Sequence, residues 1–277
     1  MEDPKAGSAQ NPHDFPDRID FSRTLLNFTS YNAERYGSVF RSFCKLLFTL
    51  KKYILIAILA ATGLWSCNED SLDASITVDS NFQSGNKNGW AEGFAGYAAT
   101  ADSTQLDTVA TTALLPRGLD TTQYGFRILS RYSKGNMFSY LKKRVTGFTP
   151  NKAYEMTLQV DLATKYVAST VVDKVAFKAG VSTKEPLTTL VSGTYTFNLD
   201  KGTVAQPGKE VLLSGSIAST NQDTRYYTLL RYSNDGQPVT VTTNNNGELW
   251  FYAGTDSDYK DTTIFYFDRI IARFKEL

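Results

Sequence analysis

The densest run of oxygen ligands in this 277-residue chain is Asp256-Ser257-Asp258-Tyr259-Lys260-Asp261. Carboxylates crowded on one loop suit a hard cation, so Asp256, Asp258 and Asp261 are the ligands expected for a structural Ca2+. The spacing is not that of an EF-hand, and Lys260 stands inside the group. The competing expectation is a solvated turn. A second chemistry belongs to the tryptophans. Trp90 lies between Gly89 and Ala91-Glu92-Gly93 on a loop-like stretch, and Trp250 alternates with Leu249 and Phe251. An indole with amides and carboxylates nearby can stack a sugar ring and hydrogen-bond its hydroxyls. Arg127 and Arg131, followed by Tyr132 and Asn136, could receive an anionic ligand such as a uronic acid; otherwise they pair with carboxylates on a sheet face.

Other chemistry is excluded. The one histidine is His13 and the two cysteines are Cys44 and Cys67. Beyond Cys67 there is no histidine and no cysteine, hence no Ser-His-Asp or Cys-His catalysis, no His-ligated zinc and no disulfide. Carboxylate pairs could still run a glycosidase, yet no spacing singles out a pair. The chain after Cys67 carries 21 basic and 22 acidic residues. Its longest basic run, Lys142-Lys143-Arg144, reads as an exposed strand edge or turn, so no nucleic-acid partner is expected.

These residues must be positioned by strands. Met156, Leu158, Val160 and Leu162 alternate with Thr157, Gln159 and Asp161, the period of a half-buried strand. Tyr124-Phe126-Ile128, Val175-Phe177-Ala179-Val181 and Tyr195-Phe197-Leu199 repeat the pattern. Further strands are expected at 76–82, 138–145, 211–217, 226–232, 239–243, 249–253 and 264–274. Ser-Gly-Asn-Lys-Asn-Gly (84–89), Asn-Asp-Gly (234–236) and Asn-Asn-Asn-Gly (244–247) supply turns. About eleven strands, no helix and no repeat predict an all-β, antiparallel two-sheet β-sandwich over residues 76–277.

A different signal precedes the strands. Lys51-Lys52 is followed by an uncharged run from Tyr53 to Trp65. That run is too short for a spanning helix, which needs about 20 residues, and it has the form of a secretory signal. Leu64-Trp65-Ser66-Cys67 resembles the lipobox of bacterial lipoproteins, with Trp65 bulkier than the motif's usual middle residue. The resemblance implies cleavage after Ser66 and lipidation of Cys67, hence a membrane partner and an outer-membrane lipoprotein. Several acyl chains anchor stably where one does not. Asn68-Glu69-Asp70 resembles the acidic surface-export signal of lipoproteins in one large Gram-negative phylum; an ordinary solvated tether is the alternative. The expected organisation is an upstream extension (1–49), a signal peptide (50–66), a lipidated Cys67 with its tether (67–75), and the sandwich. Leu50 is the expected true start.

Two stretches carry a further resemblance. Gly147-Phe148-Thr149-Pro150-Asn151-Lys152-Ala153-Tyr154-Glu155-Met156-Thr157-Leu158 resembles a signature of galactose-binding-like and carbohydrate-binding-module jelly rolls. Thr263-Ile264-Phe265-Tyr266-Phe267-Asp268-Arg269-Ile270-Ile271 resembles their last strand, where an Asp interrupts an apolar run. The resemblance implies a jelly-roll sandwich, often with a structural calcium, that binds a glycan without catalysis. The alternatives are a structural or assembly lipoprotein that binds a protein partner, and a carboxylate-based glycoside hydrolase.

Overall fold

The period-two runs become strands in a computed structural model that describes residues 75–277. The signal-like segment, Cys67 and everything upstream lie outside the described residues. In chain order the strands are β1 (Ser75–Asn81), β2 (Ala91–Ala95), β3 (Tyr97–Ala98), β4 (Leu106–Leu114), β5 (Tyr124–Tyr132), β6 (Met137–Val145), β7 (Ala153–Thr164) and β8 (Val175–Ser182). They continue with β9 (Thr188–Val191), β10 (Thr194–Phe197), β11 (Val211–Ser216), β12 (Thr228–Ser233), β13 (Val239–Thr242), β14 (Leu249–Ser257) and β15 (Thr263–Glu276). One helical turn, α1 (Ala168–Val171), sits between β7 and β8, where no helix was expected.

Two large antiparallel sheets form the jelly-roll-type sandwich. One runs β12-β7-β15-β5-β4, with β1 added to β15 and β13 to β7; the other runs β11-β8-β14-β6-β2. Their inner faces follow the predicted alternation. On β7, Tyr154, Met156, Leu158, Val160 and Leu162 are all buried in the main core. Phe177, Phe251 and Phe265 join them, and Phe251 meets Phe274 of the opposite sheet with ring centroids 5.9 Å apart. Burying an aromatic or aliphatic side chain of this kind contributes about 1.5–3 kcal/mol.

Asp268, the acidic interruption in the last strand, is a bulge. The register with β7 shifts between Phe267 and Arg269, so Asp268 is the extra residue. Its carbonyl accepts a hydrogen bond from the Phe82 amide at 3.3 Å. Burial, with Asp161 nearby, pushes its carboxyl above the ordinary carboxylate range.

The predicted two-sheet sandwich carries an addition that the sequence reading did not foresee. A third, three-stranded sheet, β3-β10-β9, lies over the outer face of the five-stranded sheet. Phe197 of β10 sits 4.8 Å from both Phe138 and Tyr140 and 5.2 Å from Tyr252, forming a second small core with Leu199. Thr188 of β9 donates its hydroxyl to the Phe94 carbonyl at 2.9 Å. The loop after β10 presses equally close: a Cβ on Gly180 would lie 2.0 Å from the Glu210 carbonyl oxygen. β14 is therefore buried on both faces along most of its length and extends to Ser257, four residues past its expected end.

Candidate functional site

The third layer covers only part of the five-stranded sheet. At the uncovered end, antiparallel register places Trp250 directly opposite Arg144 of β6 and Ser182 of β8. Directly opposed residues share a face, so these three side chains point outward together. Lys142 lies on the same face, with its ammonium 5.8 Å from the Trp250 ring centroid. It is fixed there by Glu185, whose carboxylate is 2.7 Å away. Arg144 pairs with Glu248 at 3.6 Å. Trp250 is half-buried, its indole bordered on two sides by ion pairs.

A shallow cavity of about 440 Å³ adjoins this platform, lined by Thr183, Asn244, Asn245 and Asn246. Its shape comes from a tight turn. The Asn244 side-chain oxygen accepts the Asn246 amide at 2.9 Å and the Glu248 amide at 3.0 Å. Gly247 closes the turn at φ 66°, and a Cβ there would meet the Phe148 carbonyl oxygen at 1.9 Å. Asn244 is consumed in building the turn, while Asn245 and Asn246 keep exposed side chains. An apolar ring flanked by amides, a hydroxyl and two fixed ion pairs can offer a sugar both a stacking surface and directional hydrogen bonds.

The other expected site residues lie elsewhere. Trp90 is a correction: it is 4 % exposed and belongs to the main core, so it offers no platform to solvent. The Arg127, Arg131 and Tyr132 grouping also separates. Tyr132 is buried and accepts the Ala98 amide on its hydroxyl at 3.3 Å. Arg131 donates to the Thr104 and Ser103 carbonyls at 3.2 and 3.5 Å. Arg127 lies apart from both, half-buried on the outer face of the seven-stranded sheet opposite Tyr266.

The calcium trio is the second correction. Among the described residues no cluster of His, Cys, Asp and Glu could hold a metal. Asp258 and Asp261 are exposed, and the Asp261 carboxylate accepts the Thr262 amide at 2.7 Å. Asp256 is fully buried on β14, beneath the loop that follows β10. It does bind a cation, but the chain supplies it. One carboxylate oxygen receives Lys178 at 2.9 Å and Lys201 at 2.8 Å; the other receives the Asn136 amide at 2.8 Å. The remaining Lys178 protons go to the carbonyls of Lys201, at 2.7 Å, and Thr203. Burial pulls the Lys178 ammonium below the ordinary lysine value, and Asp256 pulls it back up.

The basic run fits its expected setting only in part. Lys142-Lys143-Arg144 lies on β6 and pairs with β14 throughout, but β2 covers the other side only as far as Lys142, so Arg144 is exposed beyond it. Lys143 turns inward to donate to the Ser80 hydroxyl at 3.1 Å. Lys142, Arg144, Glu185, Glu248 and the asparagine turn are the site residues that the sequence reading missed. Its one available signal was Asn244-Asn245-Asn246-Gly247 lying just before Trp250.

No protein-family model and no curated protein matches the chain. Solved structures resemble it distantly. The enzymatically active domain of the bacteriophage CBA120 tailspike protein 4 aligns at TM-score 0.35 and 11 % identity over 71 % of this chain. The chain spans only 20 % of that domain. The K3 cleaved adhesin domain of Lys-gingipain from Porphyromonas gingivalis aligns at TM-score 0.39 and 13 % identity, covering 72 % of this chain and 99 % of that one. A carbohydrate-binding module with specific mannan recognition aligns at TM-score 0.38 and 8 % identity, covering 72 % and 97 %. Carbohydrate-binding modules with a β-sandwich fold are thus among the structural neighbours, and the class defined here is an all-β antiparallel sandwich of jelly-roll type. Likenesses of this order pass no ligand to this chain.

Proposed function

We propose that the protein is a lipid-anchored, extracytoplasmic glycan-binding module, held to the outer membrane through Cys67 and carrying its sugar on the Trp250 face. The observation that carries the reading is the pairing of a half-buried indole with an amide-lined cavity on a face otherwise sealed by a third sheet. The third sheet covers only part of this face and leaves the Trp250 indole half-buried at its uncovered end. Glu185 and Glu248 are both held in ion pairs, which makes them orienting groups for hydroxyls and for their own cations. Binding without catalysis is the simpler use of such a set.

On a glycan array the full-length protein is expected to retain at least one neutral glycan. Trp250→Ala should weaken that binding about tenfold or more, with an unchanged melting temperature. Retention of no glycan, together with capture of a specific protein partner, would favour an assembly lipoprotein instead. The anchor has its own test. Metabolic labelling with an alkynyl fatty acid should mark the wild type and not Cys67→Ala, and the variant should leave the membrane fraction. Labelling that persists in Cys67→Ala sinks the lipobox reading.

A further inference from the structure

The outer face of the seven-stranded sheet lies across the sandwich from Trp250 and carries an arginine with nothing to bind. Arg127 on β5 sits opposite Thr111 of β4 on one side and Tyr266 of β15 on the other. Among the described residues its guanidinium makes no hydrogen bond and no ion pair. Its Nε is sealed from water without an acceptor. The two terminal nitrogens are absent from the sealed, unpartnered atoms and so remain open to solvent. A charged donor withdrawn from water without a partner destabilises the fold that holds it, and well-packed sheets rarely keep one.

Its surroundings are aromatic and basic. Tyr266 packs edge-on against Tyr227 with centroids 5.5 Å apart. Lys165 stands over the Tyr227 ring at 5.6 Å, and Arg117 over Tyr226 at 4.5 Å. Neither cation forms an ion pair among the described residues. Asp223, the carboxylate within electrostatic reach of Arg117, is held bidentately by Arg225. Tyr226, Tyr227 and Tyr266 donate their hydroxyls to no protein group among the described residues. Burial pushes the Tyr227 hydroxyl well above the ordinary tyrosine value, so it stays protonated as a donor. Three cations that form no ion pair among the described residues, beside three phenols that donate to no protein group there, make a local positive field in a chain whose formal net charge is only +1.

We infer that Arg127, with Lys165, Tyr227 and Tyr266, forms a second binding site, for a saccharide bearing an anionic group. The terminal fork of Arg127 receives a carboxylate or sulfate, and the phenols hydrogen-bond neighbouring hydroxyls. Tyr227 and Tyr266 are buried, so neither ring offers an open face for base stacking, which disfavours single-stranded nucleic acid. The site is separate from the Trp250 face and does not rest on the reading given to that face.

The test uses the full-length protein in affinity electrophoresis against three polymers, polygalacturonate (carboxylate), dextran sulfate (sulfate) and neutral dextran, with single-stranded DNA run alongside. Retardation is expected by at least one of the two acidic polymers and not by dextran. The acidic polymer that retards identifies the source of the charge. Arg127→Gln should weaken that binding about tenfold or more, and Lys165→Gln, which removes a point charge and no bidentate fork, by a few-fold. Raising salt from about 0.05 to about 0.5 M should weaken the wild type more than Arg127→Gln. Trp250→Ala should leave acidic-polymer binding unchanged. The inference is overturned if neither acidic polymer retards the wild type, if both glutamine variants bind as the wild type does, or if single-stranded DNA binds more tightly than either polymer.

Discussion

Replacing Lys178 with alanine is expected to cost about 3–5 kcal/mol of folding stability, the range for breaking a buried ion pair by removing one partner. Lys178 and Asp256 are both fully shielded from solvent. The ammonium spends its three protons on three acceptors: Asp256 and the carbonyls of Lys201 and Thr203. Two of those acceptors lie in the loop after β10, so one side chain pins that loop to the sheet. In its absence the Lys201 carbonyl loses its Lys178 donor, the Thr203 carbonyl keeps only the Gln206 amide, and Asp256 keeps only Lys201 and Asn136. Loss of the pin should also free the loop, which otherwise folds on Asp200. The Asp200 carboxylate accepts the Gly202 and Lys209 amides at 3.0 and 3.2 Å, holding its carboxyl below the ordinary value. The measurement is urea unfolding of the wild type, Lys178→Ala, Asp256→Asn and the double variant. The two single losses should add to clearly more than the double loss, because they break the same contact. Additive losses, or a Lys178→Ala cost under about 1 kcal/mol, would show that the pair contributes little. Limited proteolysis offers an independent check: cleavage should move into residues 200–209 of the alanine variant.

Trp90→Ala is expected to be comparably damaging, about 3–5 kcal/mol, and to do nothing specific to ligand binding. The indole is almost wholly buried in the main core, next in sequence to β2 at the edge of the five-stranded sheet. Truncation would leave a cavity the strands cannot collapse into. Its Nε1 proton has no acceptor, an unusual defect for a buried indole. Trp90→Phe removes the orphan donor with the ring edge, so it should cost much less than the alanine change and could be neutral. Calorimetry on both variants, with the glycan array at a temperature where each is folded, separates fold from function. A folded Trp90→Ala that loses glycan binding while Trp250→Ala retains it would move the site back to Trp90.

Which features were legible can be argued residue by residue. The inward rows of β5, β7 and β15 were visible because each alternates large apolar residues with polar ones, and period two needs no knowledge of neighbours. β4 and β9 were not visible. Leu106–Leu114 and Thr188–Val191 are rich in threonine and small residues, which pair into sheets without an apolar stripe. The end of β14 was missed for the same reason. Gly254-Thr255-Asp256-Ser257 has the composition of a loop, yet Gly254 is there because a Cβ would lie 2.3 Å from the Ser139 carbonyl oxygen of the neighbouring strand.

The sequence by itself determined the strand-dominated architecture, the absence of histidine and thiol chemistry beyond Cys67, and the residue types available to a ligand. Those properties are local or compositional. Tertiary structure alone decided which of those residues face water. Trp90 stands among glycines and a glutamate and Trp250 among apolar residues, yet Trp90 packs into the sandwich core and Trp250 sits just past the edge of a third sheet. Asp256, Asp258 and Asp261 are close in sequence, but β14 ends at Ser257 and a loop closes over Asp256, which is held on Lys178 while the other two stay exposed. Exposure depends on what folds over a face, and the segments that do so here, β9, β10 and residues 198–210, come from distant parts of the chain.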